Sequence, residues 1–220
     1  MSIFETLANY RVVPVISIED ANDALALADV LIDAGLPVAE ITLRTDAAIS
    51  AIEQIAKHRP AMLVGAGTVL DEDQLGAVQA AGAAFALSPG LDVATVAVAQ
   101  TIGIPFAPGI MTPSDIQIAL RAGCRMVKFF PATAAGGLPM LKSLADPFRH
   151  TGLTFNPTGG ITQETTTDWL GYGPVKAVGG SWIARPEDLS SGNWDAIYDR
   201  AKAARALAGT STRSEHEALV

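Results

Sequence analysis

The chain of 220 residues contains one cysteine, Cys124, and three histidines, His58, His150 and His216, that lie far apart. No Cys/His cluster with metal-ligand spacing can be drawn from them, so the sequence implies no metal, and a disulfide within the chain is excluded. A reducing compartment suits such a sequence. Cys124 itself sits in Ala-Gly-Cys-Arg-Met at the start of an apolar run and reads as a buried, inert thiol. Also missing is any stretch approaching the roughly 20 apolar residues of a membrane span, and residues 1–10 lack the basic start and apolar core of a secretory signal. The expectation is a cytoplasmic protein with no membrane partner. Basic residues are few, 15 against 23 acidic ones for a net charge of −8, and none form a run, which disfavours a nucleic-acid partner. Any anion site must be built locally, from backbone amides and a few arginines.

What is present is a repeat of short apolar runs, spaced roughly twenty to twenty-eight residues apart, each too short for a helix and suited to a buried parallel strand. They are Val12–Ser17, Val38–Thr42, Met62–Ala66, Ala83–Leu87, Ile104–Ala107, Arg125–Phe130, Leu153–Pro157 and Val175–Val178. Amphipathic segments separate them. Four of these segments end in a glycine, Gly35, Gly82, Gly103 and Gly123, which supplies the left-handed residue that closes a helix. Asp20, Asp71, Asp92 and Thr112-Pro113-Ser114-Asp115 carry the matching helix-start chemistry. Eight such units without a linker predict an α/β chain folded as a single (β/α)8 TIM barrel domain over residues 1–220, with its core at about 10–190. An open doubly wound sheet is disfavoured, and the Gly-rich loop of a dinucleotide fold is missing after the first strand, so no cofactor is implied. Residues 2–9 are expected to form a short helix under the barrel, and the polar tail 209–220 to fray.

Reactive groups of a barrel belong at the C-terminal ends of its strands. Of five lysines, Lys57, Lys142 and Lys202 fall on helical segments and Lys176 opens the last strand, whereas Lys128 lies late in one, between Met126-Val127 and Phe129-Phe130. Such neighbours disfavour the charged ammonium, and a neutral amine is what attacks a carbonyl. A lysine snorkelling to water from a strand end is the plainer alternative. In Val38-Ala-Glu-Ile-Thr42, alternation puts Glu40 on one face with Val38 and Thr42. A carboxylate there is costly unless paired, so Glu40 is either an ion-pair partner of a neighbouring strand or a proton shuttle facing Lys128. Arg44, at the end of the same strand, can grip a carboxylate with its planar fork or be a solvated loop residue. Thr68 offers a hydroxyl after Gly65-Ala-Gly67. The last two strands end in glycine pairs, Gly159-Gly160 and Gly179-Gly180, where barrels commonly cradle phosphate on backbone amides.

Eight motifs now stand together: Arg11-Val-Val-Pro-Val-Ile, Glu40-Ile-Thr-Leu-Arg44-Thr, Val64-Gly-Ala-Gly-Thr68-Val, Ser88-Pro89-Gly90, Pro108-Gly-Ile-Met-Thr-Pro113, Val127-Lys128-Phe-Phe-Pro-Ala, Pro157-Thr-Gly-Gly160 and Gly179-Gly-Ser181-Trp182. Over nearly residues 8–190 the chain resembles the 2-keto-3-deoxy-6-phosphogluconate (KDPG) and 4-hydroxy-2-oxoglutarate (KHG) aldolase family. The resemblance implies a metal-independent class I aldolase that cleaves a phosphorylated 2-keto acid to pyruvate and glyceraldehyde 3-phosphate, as a homotrimer. It places the imine on Lys128 and acid/base work on Glu40. Carboxylate binding falls to Arg44, Thr68 and Thr158, the pocket wall to Pro89 and Phe130, and phosphate binding to Gly159, Gly160, Gly180 and Ser181 with Arg11 as a helper. A galactonate-series aldolase, a non-covalent phosphosugar isomerase or epimerase, and a non-catalytic metabolite-binding barrel are the competing readings.

Overall fold

The computed structural model describes residues 3–217 along the backbone, with side chains as far as Leu207. Helix α1 (Ile3–Tyr10) precedes strand β1 (Val12–Ile16), and a strand–helix alternation follows. It runs α2 (Ala24–Asp33), β2 (Val38–Thr42), α3 (Ala48–His58), β3 (Leu63–Gly67), α4 (Glu72–Ala80), β4 (Ala86–Leu87) and α5 (Val93–Ile102). Then come β5 (Phe106–Ala107), β6 (Gly109–Ile110), α6 (Pro113–Arg121), β7 (Met126–Phe129), α7 (Gly137–Ala145) and β8 (Thr154–Pro157). The chain continues with α8 (Thr166–Leu170), β9 (Val178–Gly180), α9 (Pro186–Ser191) and α10 (Trp194–Glu217). The backbone of α10 extends through the segment expected to fray from 209, while residues 218–220 lie outside the described residues.

The helix boundaries follow the local chemistry. Asp71 and Asp92 accept hydrogen bonds from the backbone N–H of Gln74 and Thr95, and Thr112 and Asp115 bond each other's backbone in a capping box. Hydrogen bonds from Thr95, its hydroxyl first, hold the Asp92 carboxyl below the usual carboxylate range. Gly35, Gly82, Gly103 and Gly123 all have φ between 76° and 89°, the left-handed cap conformation. The buried faces of α2 (Ala24, Leu27, Ala28, Leu31) and α3 (Ala48, Ala51, Ile52, Ile55) repeat at i, i+3, i+4 and i+7 and lie against the outer face of the strands.

All strand pairs are parallel. The expected closed ring of eight strands is corrected: the ladders form a six-stranded sheet, ordered β5-β4-β3-β2-β1-β9, that curls into a half-barrel, and a three-stranded sheet, β6-β7-β8. The fifth expected run, Ile104–Ala107, shortens to β5 and is followed by a further strand, β6, set apart because Pro108 has no N–H to donate; its carbonyl accepts from Lys128 while Gly109 N–H turns to Gly90. The last run is displaced as well. Val175 and Lys176 bond a turn and β8, and pairing with β1 starts only at Val178, whose N–H donates to Arg11. Bridges Phe155↔Val175 and Thr158↔Gly179 join the two sheets there. The fourth run shortens to Ala86–Leu87, since Ala83 N–H is spent on closing α4 through Val78.

Register puts Val15, Glu40 and Gly65 at one level across β1, β2 and β3, and Gly109, Lys128 and Asn156 at one level across β6, β7 and β8. The side chains of Glu40, Lys128 and Asn156 face the interior, while Ile16, Ile41 and Phe129 alternate to the other face, toward the helices. Cys124 is buried, which pushes its thiol upward and keeps it unreactive. Because Gly103 stands in open space with φ 78°, Gly103→Ala should cost only the left-handed backbone penalty of about 1–2 kcal/mol. A urea titration should show that lower midpoint with turnover unchanged.

Candidate active site

Two strands from opposite sheets supply the centre. Glu40 on β2 is 0% exposed and Lys128 on β7 is 4% exposed. Lys128 Nζ donates to Glu40 Oε1 at 2.8 Å. Removing two charges from water costs several kcal/mol each, and mutual attraction recovers it only when geometry and hydrogen bonding are good. Here one carboxylate oxygen, Oε2, is buried with no partner, so the pair is incompletely satisfied. Such an arrangement stores reactivity at a cost in stability. The Phe130 ring stands 5.5 Å from Lys128 Nζ and completes an aromatic wall.

Room for the carboxylate comes from a missing side chain. A Cβ on Gly67 would lie 2.0 Å from Glu40 Oε1 and 2.7 Å from its Cδ and Cγ. Gly65, two residues earlier, leaves space for the Phe85 ring, which a Cβ there would meet at 2.3 Å. The Gly-Ala-Gly of β3 is therefore the floor on which the carboxylate rests.

Residues at the strand ends surround this centre. Thr158 follows β8 on the interior face, buried, with its hydroxyl unpartnered and packed over Gly179. Thr68 follows β3 with φ 59°, a left-handed conformation that costs a β-branched residue on the order of 1–3 kcal/mol and persists where surroundings enforce it. Arg44 is exposed just beyond β2, its N–H on Thr42 O, and its guanidinium has no hydrogen-bond or ion-pair partner among the described residues. Pro89 closes the end of β4, with its carbonyl over Gly109, where a Cβ would come within 2.1 Å. Gly159, partly exposed, and Gly160, exposed, have φ 104° and 75°, two consecutive left-handed residues in the loop after β8, while buried Gly180 and exposed Ser181 stand at the end of β9.

Arg11 is not brought to these glycines, and its role as a phosphate helper is corrected. It precedes β1 at the opposite end of the strands, with φ 61°, and its guanidinium donates to the Leu170 carbonyl at the end of α8 at 2.6 Å. A cation on the last carbonyl of a helix is a structural cap. A cavity of about 740 Å³ also opens at that end, beside Phe4, Phe106 and Met126, and touches neither Lys128 nor Glu40. No three His, Cys, Asp or Glu side chains converge as a metal site among the described residues. One interior polar residue was passed over in the sequence: Asn156, 1% exposed, at the same level as Lys128 on the adjoining strand. The alternation that singled out Glu40, counted back from Thr158, would have found it.

The family model for the KDPG and KHG aldolases matches residues 3–200. The chain belongs to this family. It is 43% identical to the 2-dehydro-3-deoxy-phosphogluconate aldolase of Haemophilus influenzae over 89% of this chain and 91% of that one. The crystal structure of the KDPG aldolase of Legionella pneumophila, with pyruvate captured as a covalent carbinolamine intermediate, superposes with a TM-score of 0.88 at 40% identity, covering 93% of this chain and 98% of that one. The KDPG aldolase of Zymomonas mobilis, solved with 3-phosphoglycerate, superposes with a TM-score of 0.85 at 39% identity, over 93% and 95% of the two chains.

Gly67→Ala tests the floor of the site in this aldolase-family chain. Gly67 has no positive φ, so an alanine should fold, but it should push the Glu40 carboxylate off Lys128. Turnover should fall roughly a hundredfold, the scale of an ångström's misplacement, with the circular dichroism spectrum unchanged. Normal turnover would mean that the carboxylate works from elsewhere.

Proposed function

We propose that this chain is a Schiff-base aldolase that cleaves KDPG to pyruvate and glyceraldehyde 3-phosphate, with Lys128 as the imine-forming amine and Glu40 as its proton carrier. The observation that carries the reading is the 2.8 Å contact between a buried lysine and a buried carboxylate in a chain of this family. A proton moved along that contact leaves a neutral amine beside a neutral carboxyl. The amine attacks the C2 ketone, and the carboxyl returns its proton to the departing oxygen, so carbinolamine becomes imine and water is released. The protonated imine then accepts the electron pair of the C3–C4 bond as the C4 hydroxyl gives its proton to the Glu40 carboxylate, left ionised by the dehydration. Glyceraldehyde 3-phosphate leaves, and the enamine is protonated and hydrolysed to pyruvate. Arg44, Thr68 and Thr158 take the carboxylate, Pro89 and Phe130 line the pocket, and the amides about Gly159, Gly160, Gly180 and Ser181 take the phosphate. A non-covalent isomerase or a simple binding protein would gain nothing from the desolvated pair.

The six-stranded half-barrel and the three-stranded sheet are read as one TIM-barrel-like whole, meeting at Pro108 between β5 and β6 and again between β8 and β9. Support comes from the Pro108 carbonyl bond to Lys128 on one side and the β8–β9 bridges on the other. A homotrimer in the cytoplasm remains part of the proposal through the family. Among the described residues, no helix is long and apolar enough to cross a membrane.

Borohydride reduction in the presence of pyruvate should leave a single covalent adduct on Lys128, found by peptide mapping. Lys128→Ala should abolish both adduct and turnover. Glu40→Gln should retain substrate binding and slow turnover by about a hundredfold or more, the usual loss for a positioned acid/base. An adduct on Lys142 or Lys176 would remove the mechanism.

The phosphate reading is tested separately. Two or three charge-assisted hydrogen bonds, each about 1.5–3 kcal/mol, should favour the phosphorylated substrate over KHG by at least roughly a hundredfold in kcat/KM. A side chain at Gly160, whose Cβ would lie 2.7 Å from that of Thr133, should erode the preference strongly, and Ser181→Ala only in part. Equal kcat/KM for both substrates in the unmutated protein would make the glycine pairs mere turns and move the function toward KHG.

A further inference from the structure

Asn156 is buried inside the strands with both side-chain polar atoms, Oδ1 and Nδ2, lacking a hydrogen-bond partner. Buried amides are almost always satisfied, because each unpaired donor or acceptor forfeits its hydration. The interior of this site holds four such atoms on three side chains: the Asn156 pair, Glu40 Oε2 and Thr158 Oγ1. They are not scattered. Asn156 pairs in register with Lys128, Thr158 follows two residues along the same face of the same strand, and Glu40 meets the Lys128 amine from across the interior.

Depth separates their tasks. Passing inward from the strand ends, the glycine amides come first, then Thr158 with Arg44 and Thr68, and then the Lys128–Glu40 pair. Asn156 lies at the level of the Lys128 backbone, below the carboxylate-binding residues. A carboxamide at that depth has no charge, so it neither competes with Glu40 for the ammonium nor binds a carboxylate well. It offers two donors and an acceptor, which suits an oxygen that is a ketone, then a hydroxyl, then water.

We propose that Asn156, with Glu40 Oε2, holds the oxygen that leaves C2, and so acts as a binding residue for carbinolamine dehydration and its reverse. The inference rests on the imine reading above. In the step it serves, the carbinolamine C2–O bond breaks, the proton on Glu40 passes to that oxygen, the nitrogen lone pair forms the C=N bond, and water departs. The amide donates to the oxygen as charge develops on it and keeps the released water placed for hydrolysis. No protein group takes the amide's hydrogen bonds, so they are available to the substrate oxygen, and donors aimed where charge develops favour the reacting state.

The test uses Asn156→Leu, which keeps the volume and removes the polarity, with pyruvate in ¹⁸O-labelled water. Exchange of the ketone oxygen reports carbinolamine formation and dehydration, whereas deuterium uptake at the methyl group, normalised to the amount of imine, reports enamine formation. The variant should exchange oxygen and form the borohydride-trappable imine at least about tenfold more slowly, the worth of one well-placed hydrogen bond. Methyl exchange per imine should stay within about twofold, since the amide acts on the C2 oxygen. The unfolding midpoint should be little changed, because the amide bonds no protein group that the leucine would leave unpaired. Oxygen exchange within twofold of the unmutated rate would overturn the proposal, as would an equal loss of methyl exchange, which marks general distortion. Should the leucine variant not fold, Asn156→Ser and Asn156→Ala decide: serine at least threefold faster in oxygen exchange supports the role, and equal rates overturn it. Absence of any trapped adduct in the unmutated protein would instead sink the imine reading itself.

Discussion

A lysine and a glutamate placed 88 residues apart in sequence meet at 2.8 Å where neither has water to fall back on. Everything else in the arrangement bears on that contact. A buried ion pair is a poor source of stability, because desolvation offsets most of the attraction, so its presence asks for a function. It is held by the register of parallel strands: Glu40 sits level with Val15 and Gly65, and Lys128 level with Gly109 and Asn156. A one-residue slip of β2 would turn Ile41 inward and the carboxylate toward the helices. The apolar outer face, with Ile16, Ile41 and Phe129 all essentially inaccessible, makes such a slip expensive and thereby protects the chemistry.

Glycine has three separate uses in this chain, and only the structure distinguishes them. Gly35, Gly82, Gly103 and Gly123 are there for backbone angle, closing α2, α4, α5 and α6. Gly65, Gly67, Gly109 and Gly179 have ordinary φ and are there for space, each removing a Cβ that would strike Phe85, Glu40, Pro89 or Thr158. Gly159 and Gly160 combine angle with amide exposure at the mouth. The middle group sets the interior's shape. Small residues on β3 admit the carboxylate from β2 over Gly67 and the ring of Phe85 over Gly65.

Legibility followed the range of the interaction concerned. Asp92 and Gly103 mark both ends of α5 because capping is settled within a few residues, and β2 was placed to the residue because Val-Ala-Glu-Ile-Thr has no competing turn signal. The broken fifth strand depends on which neighbour each half of 106–110 bonds, and Pro108 shows this only once the ladders are drawn. Residues 178–180 carry two glycines, poor strand formers that hide a strand whose pairing with β1 is enforced from outside. Lys128 and Glu40 stood out because charge in an apolar strand is conspicuous. Asn156 did not, since a neutral amide raises no such alarm although its burial is as complete. Arg11 was misplaced for a related reason: its motif was read without asking which end of β1 it occupies.

The site therefore divides by depth as well as by chemistry. Arg44 and the left-handed glycines lie at the mouth, where on the proposed function they grip the substrate's two anionic ends at some distance from the breaking bond. The neutral amide, the unpaired carboxylate oxygen and the amine lie below, where water is scarce and hydrogen bonds are worth more. Binding energy from the mouth can then be used to press the ketone against groups that are destabilised without it. Such a layout gives a use to the four interior polar atoms that no protein group bonds, which a merely structural core would have replaced with methyl groups.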